Sequence, residues 1–207
     1  MAVALTCSEW ETLASLATFC RVPEGSLLTP SGTELPFAAL VVSGCLRVFF
    51  RETDGTERVL YFAPENWCAA DMESWLSGRP ASVCVDALQE TECLLIDRSR
   101  LSSLHDSGAS ARRVLMSLTE RMLAWQQRRL LGALRKTAMQ RYLDFLALYP
   151  GLDLEIAQYH IAGYLGISPE FLSRLRRRLR SRAAVRDGAK ARSIDAGAKA
   201  PASRTGD

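Results

Sequence analysis

The sequence predicts an α+β protein with an N-terminal antiparallel β-roll or jelly roll, a long helix and a C-terminal helix-turn-helix. Three observations support this fold class. Short apolar runs separated by turn residues fill the chain from about residue 22 to residue 96, and helical periodicity replaces them from about residue 110. A helix stop followed at once by a helix start then occurs at residues 166–170.

The N-terminal region is predicted to form short antiparallel strands. Ser43-Gly44 and Thr53-Asp54-Gly55-Thr56 are tight-turn sequences, and the second would join its two flanking apolar runs as a hairpin. Short strands at this spacing are typical of a sandwich, barrel or jelly roll. The predicted strands are Ala38–Val42, Leu46–Phe50, Val59–Phe62, Ser82–Ala87 and Cys93–Ile96.

The periodicity between Ser110 and Leu134 predicts one long helix. Four apolar residues on it step by 3, 4 and 3 positions, the spacing of a helix that packs against a partner helix. Leu115, Leu118, Met122 and Trp125 are therefore the candidate dimer seam, and the alternative is that this stripe packs only on the chain's own roll. A capping box over 137–140 then predicts a new helix, which ends before Pro150-Gly151.

Residues 161–175 predict two short helices separated by a tight turn. Ile161 and Leu165 lie on one face of the first helix, and Gly166 follows where a residue at positive φ would end it. Ser168 offers an N-cap oxygen and Pro169 suits the first helical position of the second helix. Apolar spacing, turn glycine and helix start agree in register, as in a helix-turn-helix.

The second of these helices carries polar side chains on the side away from Leu172 and Leu175. Arginine can bond guanine through two hydrogen bonds, glutamate can accept one from cytosine, and further arginines can hold phosphates. A solvated basic face is the alternative, but the agreement of the three signals favours binding to double-stranded DNA. The candidate DNA-binding residues are Ser168, Pro169, Glu170, Ser173, Arg174, Arg177 and Arg178. Because helix-turn-helix proteins usually read paired half-sites, a homodimer is favoured.

The two halves of the chain carry opposite net charge. Residues 1–110 contain 7 Lys and Arg against 15 Asp and Glu, a net of −8, whereas residues 111–207 contain 19 against 8, a net of +11. A basic half suits a polyanion and an acidic half suits a different task. The predicted domains are a roll at 1–110, a dimerisation helix at 111–135, a helix-turn-helix domain at 136–182 and a disordered basic tail at 183–207.

Composition argues against membrane, metal and enzyme classes. The sequence has neither an apolar run of about 18 residues nor a signal-peptide N-terminus, so a soluble cytoplasmic protein is expected. Its six cysteines include no C-x-x-C pair, and its two histidines, His105 and His160, lie outside the roll. A cupin-like metalloenzyme therefore lacks its ligands, and neither a cofactor nor catalysis is expected.

The strongest motif runs from Arg141-Tyr-Leu-Asp-Phe-Leu to Tyr159-His-Ile-Ala-Gly-Tyr-Leu-Gly-Ile-Ser-Pro-Glu-Phe-Leu-Ser-Arg. With Val42-Ser-Gly-Cys-Leu-Arg-Val in the roll, it resembles the Crp/Fnr family of bacterial transcription regulators, in a short branch of undefined effector. The resemblance implies a cyclic-nucleotide-binding-like roll, a dimer, and RNA polymerase as a further partner. It also implies that Glu170 and Arg174 read bases, with Ser173 between them.

The resemblance fails where cyclic-AMP-binding relatives hold their ligand. Those relatives present a Gly-Glu pair and, about ten residues later, an Arg-Ser/Thr-Ala run. Here Asp71 occupies the glutamate position and Ala81 the arginine position, while Arg79 is displaced by two residues. The candidate effector pocket is Asp71, Glu73, Arg79 and Ser82, and cyclic AMP is not the expected effector because a buried cyclic phosphate needs an opposing charge.

Two functions from different classes remain open at this point. The first is a dimeric, sequence-specific DNA-binding regulator. The second is an effector- or partner-binding regulatory protein that keeps a degenerate helix-turn-helix and acts by protein contact. The presence of Glu170, Ser173 and Arg174 argues against degeneration.

Overall fold

The computed structural model describes residues 6, 11, 14–15, 17–32, 37–97, 99 and 109–181, with some side chains at the start of the long helix excepted. Within these residues the roll contains eight strands: β1 Thr18–Val22, β2 Leu27–Thr29, β3 Phe37–Ser43, β4 Cys45–Arg51, β5 Glu57–Pro64, β6 Cys68–Ala70, β7 Cys84–Ala87 and β8 Thr91–Asp97. The helices are α1 Met72–Ser77, α2 Ala109–Arg135, α3 Ala138–Leu148, α4 Leu152–Glu155, α5 Gln158–Leu165 and α6 at residues 169–181.

The strands form two antiparallel four-stranded sheets. One has the order β1-β8-β3-β6 and the other has the order β2-β7-β4-β5. Non-consecutive neighbours in both sheets mean that the chain crosses repeatedly between them, as in a jelly roll. The predicted α+β class and antiparallel roll are confirmed.

The roll's core consists of apolar strand residues that point between the sheets. Ala39, Val41, Leu46 and Val48 are all fully buried. All five predicted strands are present, each within three residues of its predicted ends. Three short strands, β1, β2 and β6, and the six-residue helix α1 were not predicted.

Two turns depend on glycine at positive φ. Gly55 has a φ of 86° in the β4–β5 hairpin, where Asp54 accepts a hydrogen bond of 2.8 Å from the Thr56 N–H. Gly44 has the same φ of 86° between β3 and β4. A Cβ on Gly44 would lie 2.6 Å from the Thr91 hydroxyl, so only glycine fits this turn.

Local capping sets the ends of the C-terminal helices. Thr137 and Gln140 form the predicted capping box at the start of α3. Gly151 and Gly166 adopt left-handed conformations where the chain reverses before α4 and after α5.

The chain divides into two compact units with the boundary after Gly166. The first unit contains the roll and helices α2 to α5, and the second contains α6. The predicted basic tail at 183–207 lies outside the described residues, and the predicted domain limits remain predictions.

Candidate nucleic-acid interface

A tight turn separates helix α5 from helix α6. Gly166 has a φ of 66°, and its N–H donates to the Ala162 carbonyl, which closes the end of α5. Two residues later the Ser168 hydroxyl accepts a hydrogen bond of 3.2 Å from the Phe171 N–H, so Ser168 is the N-cap of α6 as predicted. Pro169 occupies the first helical position.

Helix α6 has a buried apolar row and an exposed polar face. Leu172 and Leu175 are 0% and 4% exposed. Six of the seven candidate DNA-binding residues are exposed and Pro169 is half-buried; the six are Ser168, Glu170, Ser173, Arg174, Arg177 and Arg178. The helix therefore presents a continuous face of donors and acceptors of the kind that bind base edges and phosphates.

The charge of helix α6 is almost entirely positive. Residues 169–181 contain five arginines and one acid, Glu170. A hydrogen bond from Ser168 lowers the pKa of Glu170, so this side chain is a carboxylate and a hydrogen-bond acceptor at neutral pH. The Arg174 guanidinium lies 5.4 Å from the centre of the Phe171 ring, a cation–π contact that restrains it on the exposed face.

Helix α5, the first helix of the pair, is attached to the roll through a buried polar cluster. Arg47 on β4 is 4% exposed and binds Asp86 through two hydrogen bonds, of 2.9 and 2.5 Å. The same guanidinium donates to Glu57 at 2.7 Å and to His160 Nδ1 on α5 at 2.7 Å. Because Nδ1 accepts, the His160 proton is on Nε2 and the ring is neutral.

The electrostatics of this cluster keep His160 neutral. Burial and then the positive charge of Arg47 lower the pKa of His160 to about 4, against the opposing influence of Asp86 and Glu57. The guanidinium is also in contact with the Phe49 ring, 3.8 Å from its centre. A buried cation with two carboxylates and a neutral imidazole is fully satisfied, so the cluster favours one arrangement of α5 on the roll.

A close backbone approach supports the same attachment. A Cβ on Gly163 of α5 would lie 3.1 Å from the Glu57 carbonyl oxygen, so glycine allows helix and strand to approach. Arg129 of α2 donates to the carbonyls of Val59 and Tyr164 at 3.1 and 2.9 Å, and its guanidinium lies 3.7 Å from the centre of the Tyr164 ring. Arg129 thus joins α2, β5 and α5 at one point.

An aromatic cluster completes the junction between the roll and the helices. Phe62 of β5 packs against three rings: Phe145 of α3, Tyr149 at the end of α3, and Tyr164 of α5. Their ring centres lie 6.0, 5.6 and 5.5 Å from the centre of the Phe62 ring. The Phe62 N–H also donates to the Tyr149 hydroxyl at 3.4 Å. Burial raises the pKa of Tyr149 well above its ordinary value, so the hydroxyl stays protonated.

The candidate effector pocket is closed by one of its own residues. One oxygen of Asp71 accepts hydrogen bonds from the Ser82 N–H, the Ser82 hydroxyl and the Val83 N–H at 2.7, 2.8 and 3.2 Å. The other oxygen caps helix α1 through Ser74. Burial alone would raise the pKa of Asp71, but these hydrogen bonds outweigh it and the pKa is lowered. The donors that could bind an external anion are already used.

The remaining pocket residues do not converge on this point. Arg79 is 76% exposed in its side chain and lies 3.5 Å from Glu73, an exposed pair of little energetic value. Ala81 is buried, and its carbonyl accepts from Gly32 at 2.7 Å. Trp75 fills the interior and donates to the Ile96 carbonyl at 3.2 Å. The structure brings Asp71 and Ser82 together and leaves Glu73 and Arg79 at the surface.

The candidate dimer seam lies partly on the roll. Met122 and Trp125 are buried within the chain, and the Trp125 ring meets the Tyr61 ring edge-on at 5.2 Å. For these two residues the stripe packs on its own roll, the alternative stated above. The side chains of Leu115 and Leu118 lie outside the described ones.

A second apolar row on helix α2 is exposed. Its members are Met116, Leu123, Leu130 and Leu134, which are 61%, 67%, 61% and 74% exposed. The first three recur every seven residues and Leu134 follows four residues later, which is the spacing of a coiled-coil seam. This exposed row lies on a different face of helix α2 from the predicted seam, and that seam remains a prediction.

The described residues contain no cluster of three or more His, Cys, Asp or Glu side chains placed to hold a metal ion. Within the same part of the chain, none of the helices combines the length and apolar character needed to cross a membrane.

Sequence reasoning missed the residues that attach α5 to the roll. Arg47 is a lone charge in the apolar run Leu46-Arg-Val-Phe-Phe, and a lone charge at such a place needs a partner. His160 and Asp86 give no comparable signal, since their distances along the chain from Arg47 are large and their neighbours are ordinary.

Three solved structures illustrate what the chain is similar to. FixK2 from Bradyrhizobium japonicum is 22% identical with a TM-score of 0.69, covering 81% of this chain and 86% of its own. The c-di-GMP-responsive global regulator CLP from Xanthomonas campestris is 17% identical with a TM-score of 0.68, covering 86% and 93%. A structure from Eubacterium rectale, described as a transcriptional regulator of the Crp/Fnr family, is 17% identical with a TM-score of 0.65, covering 86% and 85%.

These likenesses extend over most of the chain and show a common fold. No family model matches the sequence, and no curated protein matches it either. These structures share the roll, the long helix and the C-terminal helices with this chain, so the fold implied by the resemblance is confirmed.

Proposed function

We propose that this protein is a dimeric, sequence-specific DNA-binding transcriptional regulator of the Crp/Fnr type, with double-stranded DNA as its ligand and RNA polymerase as a further partner. The observation that carries the proposal is helix α6. It starts at a Ser168 N-cap, buries Leu172 and Leu175, and exposes Glu170, Ser173 and Arg174 together on one face.

The chemistry of this face fits the major groove of DNA. Arg174 can donate two hydrogen bonds to guanine, and the Glu170 carboxylate can accept from cytosine. Arg177 and Arg178, one turn further along, are placed to neutralise phosphates. Two of the similar structures are described as regulators, which agrees with this assignment.

A second copy of the chain is the proposed partner of helix α2. Met116, Leu123, Leu130 and Leu134 would otherwise place an apolar row in water. Pairing of this row in two copies would bury it, and the dimer would contain two α6 helices, one for each half-site.

The roll is proposed to act without a cyclic nucleotide. Asp71 already occupies the N–H groups of Ser82 and Val83, and Arg79 is at the surface. The second candidate function is a regulatory protein with a degenerate helix-turn-helix that acts by protein contact. An absence of DNA binding in the following experiment would favour it.

The test begins with selection of genomic DNA fragments that bind the purified protein. Titrations of wild type and Arg174→Ala on the selected site and on single-base variants then follow. We expect Arg174→Ala to lose about 1–3 kcal/mol of specific affinity and to relax the preference at one base pair.

Arg180→Ala is the matched control. It removes the same charge from the same helix and is also exposed, but it lies about 120° around the helix from Arg174. It should weaken binding to all sequences alike and reduce the salt dependence. Unchanged sequence preference in Arg174→Ala would contradict the role of this face, and no enrichment of fragments would favour the protein-contact function.

A further inference from the structure

Two cysteines lie directly opposite each other on neighbouring strands. Cys20 of β1 and Cys93 of β8 are paired in the antiparallel register, between Phe19↔Leu94 and Arg21↔Glu92. Directly opposed residues of an antiparallel ladder have Cα atoms about 4.5–5.5 Å apart and side chains on the same face. A disulfide needs Cα atoms about 4.4–6.8 Å apart, so this register meets its geometric requirement.

The two thiols differ in exposure. Cys93 is fully buried, whereas Cys20 lies on β1, an edge strand of its sheet, and is partly accessible. Burial raises the pKa of the Cys93 thiol to about 12, and the charge of Cys20 and a hydrogen bond between the two side chains contribute to the same shift. The register thus places the two thiols on the same face of the sheet, with Cys20 partly accessible and Cys93 buried.

The other described cysteines lack such a partner. Across the ladders Cys45 faces Pro64, Cys68 faces Leu40 and Cys84 faces Phe49. Among the cysteines that the structure describes, Cys20 and Cys93 are thus the pair that strand register places together. A disulfide here would join the edge strand β1 covalently to β8.

We propose that Cys20 and Cys93 form an oxidisable dithiol site, which a peroxide converts to a cross-strand disulfide. In the first step the Cys20 sulfur attacks a peroxide oxygen; an S–O bond forms, the O–O bond breaks and water leaves. In the second step the Cys93 sulfur attacks the Cys20 sulfenic acid; the S–S bond forms and a second water leaves. The two thiols lose two protons and two electrons, and one hydrogen peroxide becomes two waters.

The sequence allows a direct chemical test. Cleavage after glutamate places every cysteine in a separate peptide; Cys20 falls in 12–24 and Cys93 in 93–120, while the other four fall in 1–9, 35–52, 66–73 and 74–90. Native protein is treated with hydrogen peroxide, its remaining thiols are alkylated, and it is digested and analysed by mass spectrometry. We expect peptides 12–24 and 93–120 to appear as a cross-linked pair that dithiothreitol separates.

Variants establish the order of the two steps. Cys93→Ala should accumulate a Cys20 sulfenic acid that dimedone traps, and Cys20→Ser should form no cross-link and no dimedone adduct. Cys68→Ser is the control and should cross-link as wild type does. If Cys93→Ala fails to fold, as judged by circular dichroism, Cys20→Ser on the edge strand still decides the question.

Two measurements distinguish a specific dithiol site from general oxidation of the cysteines. Protein oxidised in about 8 M urea, which unfolds the chain, should give mixed pairings, whereas native protein should give one. The oxidised native protein should also melt at a higher temperature than the reduced protein, since a cross-link restricts the unfolded chain. Cross-links to other cysteines, or Cys20 sulfinic acid without a cross-link, would overturn the proposal.

Discussion

Gly44 is at a turn where two separate requirements select glycine. It shares a φ of 86° with Gly55, but a Cβ on Gly44 would meet Thr91 and Glu90, whereas a Cβ on Gly55 would meet nothing within 4 Å. We therefore expect Gly55→Ala to cost about 1–2 kcal/mol from backbone strain alone. Gly44→Ala should cost at least about 2 kcal/mol more, because β3, β4 and β8 must separate.

Urea denaturation of the two glycine variants measures the difference. Since both variants carry the same strain, the difference in free energy of unfolding isolates the steric contact. Equal losses in the two variants would show that Thr91 and Glu90 move aside without cost.

His160 should make stability depend on pH. Its pKa is about 4 in the folded protein against 6.5 for an ordinary histidine. Between these values the unfolded state binds more protons, so stability is retained above pH 6.5 and falls as pH decreases towards 4. The loss attributable to this group is up to about 3 kcal/mol.

The test is to measure the unfolding free energies of wild type and His160→Gln between about pH 4.5 and pH 7.5. Glutamine retains an acceptor for Arg47 but does not titrate, so the variant should have a flatter pH profile. Identical profiles would assign the acid sensitivity to other groups.

At the scale of elements, helix α2 presents two apolar rows to two different surroundings. Leu123→Glu should dissociate the proposed dimer without loss of folding, because Leu123 is exposed in the monomer. Arg128→Glu places the same side chain about 140° around the helix and should leave the dimer intact. Sedimentation at micromolar concentration measures both; an unchanged mass for Leu123→Glu would exclude this row as the seam.

The elements differ in how well the sequence predicted them. The capping box at Thr137 and the Ser168 start of α6 were predictable because their determinants lie within a few residues. Strands β2 and β6 are three residues long, and three residues cannot display a period. For helix α2 the sequence predicted an apolar face correctly but not which surface covers it, since that depends on the distant Tyr61.

The candidate DNA-binding face and the cluster around Arg47 illustrate the same limit. The residues of this face lie next to one another in the sequence, in one helix and its N-cap, so the sequence alone could identify them. Arg47 and His160 are 113 positions apart. Only the crossing of the chain from roll to helix brings them together, and no local pattern encodes that contact.

At the scale of the whole molecule, we expect neither cyclic AMP nor cyclic GMP to bind. Removing a cyclic phosphate from water costs several kcal/mol, which a paired cation would have to offset. Ala81 has no charge, and Asp71 would place a carboxylate against the phosphate. Isothermal calorimetry at millimolar nucleotide should show no saturable binding.

An Asp71→Ser variant sharpens the nucleotide experiment. Serine retains an N-cap for α1 but frees the N–H groups of Ser82 and Val83. Binding by the variant alone would identify Asp71 as the obstruction. Wild-type binding tighter than about 100 μM, roughly −5.5 kcal/mol, would mean that Arg79 moves to hold the phosphate.

The Arg47 cluster also limits how this architecture can be divided or recombined. Removal of the helices would leave Arg47 without His160 and would expose Phe62, which now packs against Phe145, Tyr149 and Tyr164. A foreign roll joined to these helices would need its own acceptor set and aromatic partner at matching positions. Roll and helix α5 should therefore be exchangeable only as one piece, whereas the exposed side chains of α6 make none of these contacts.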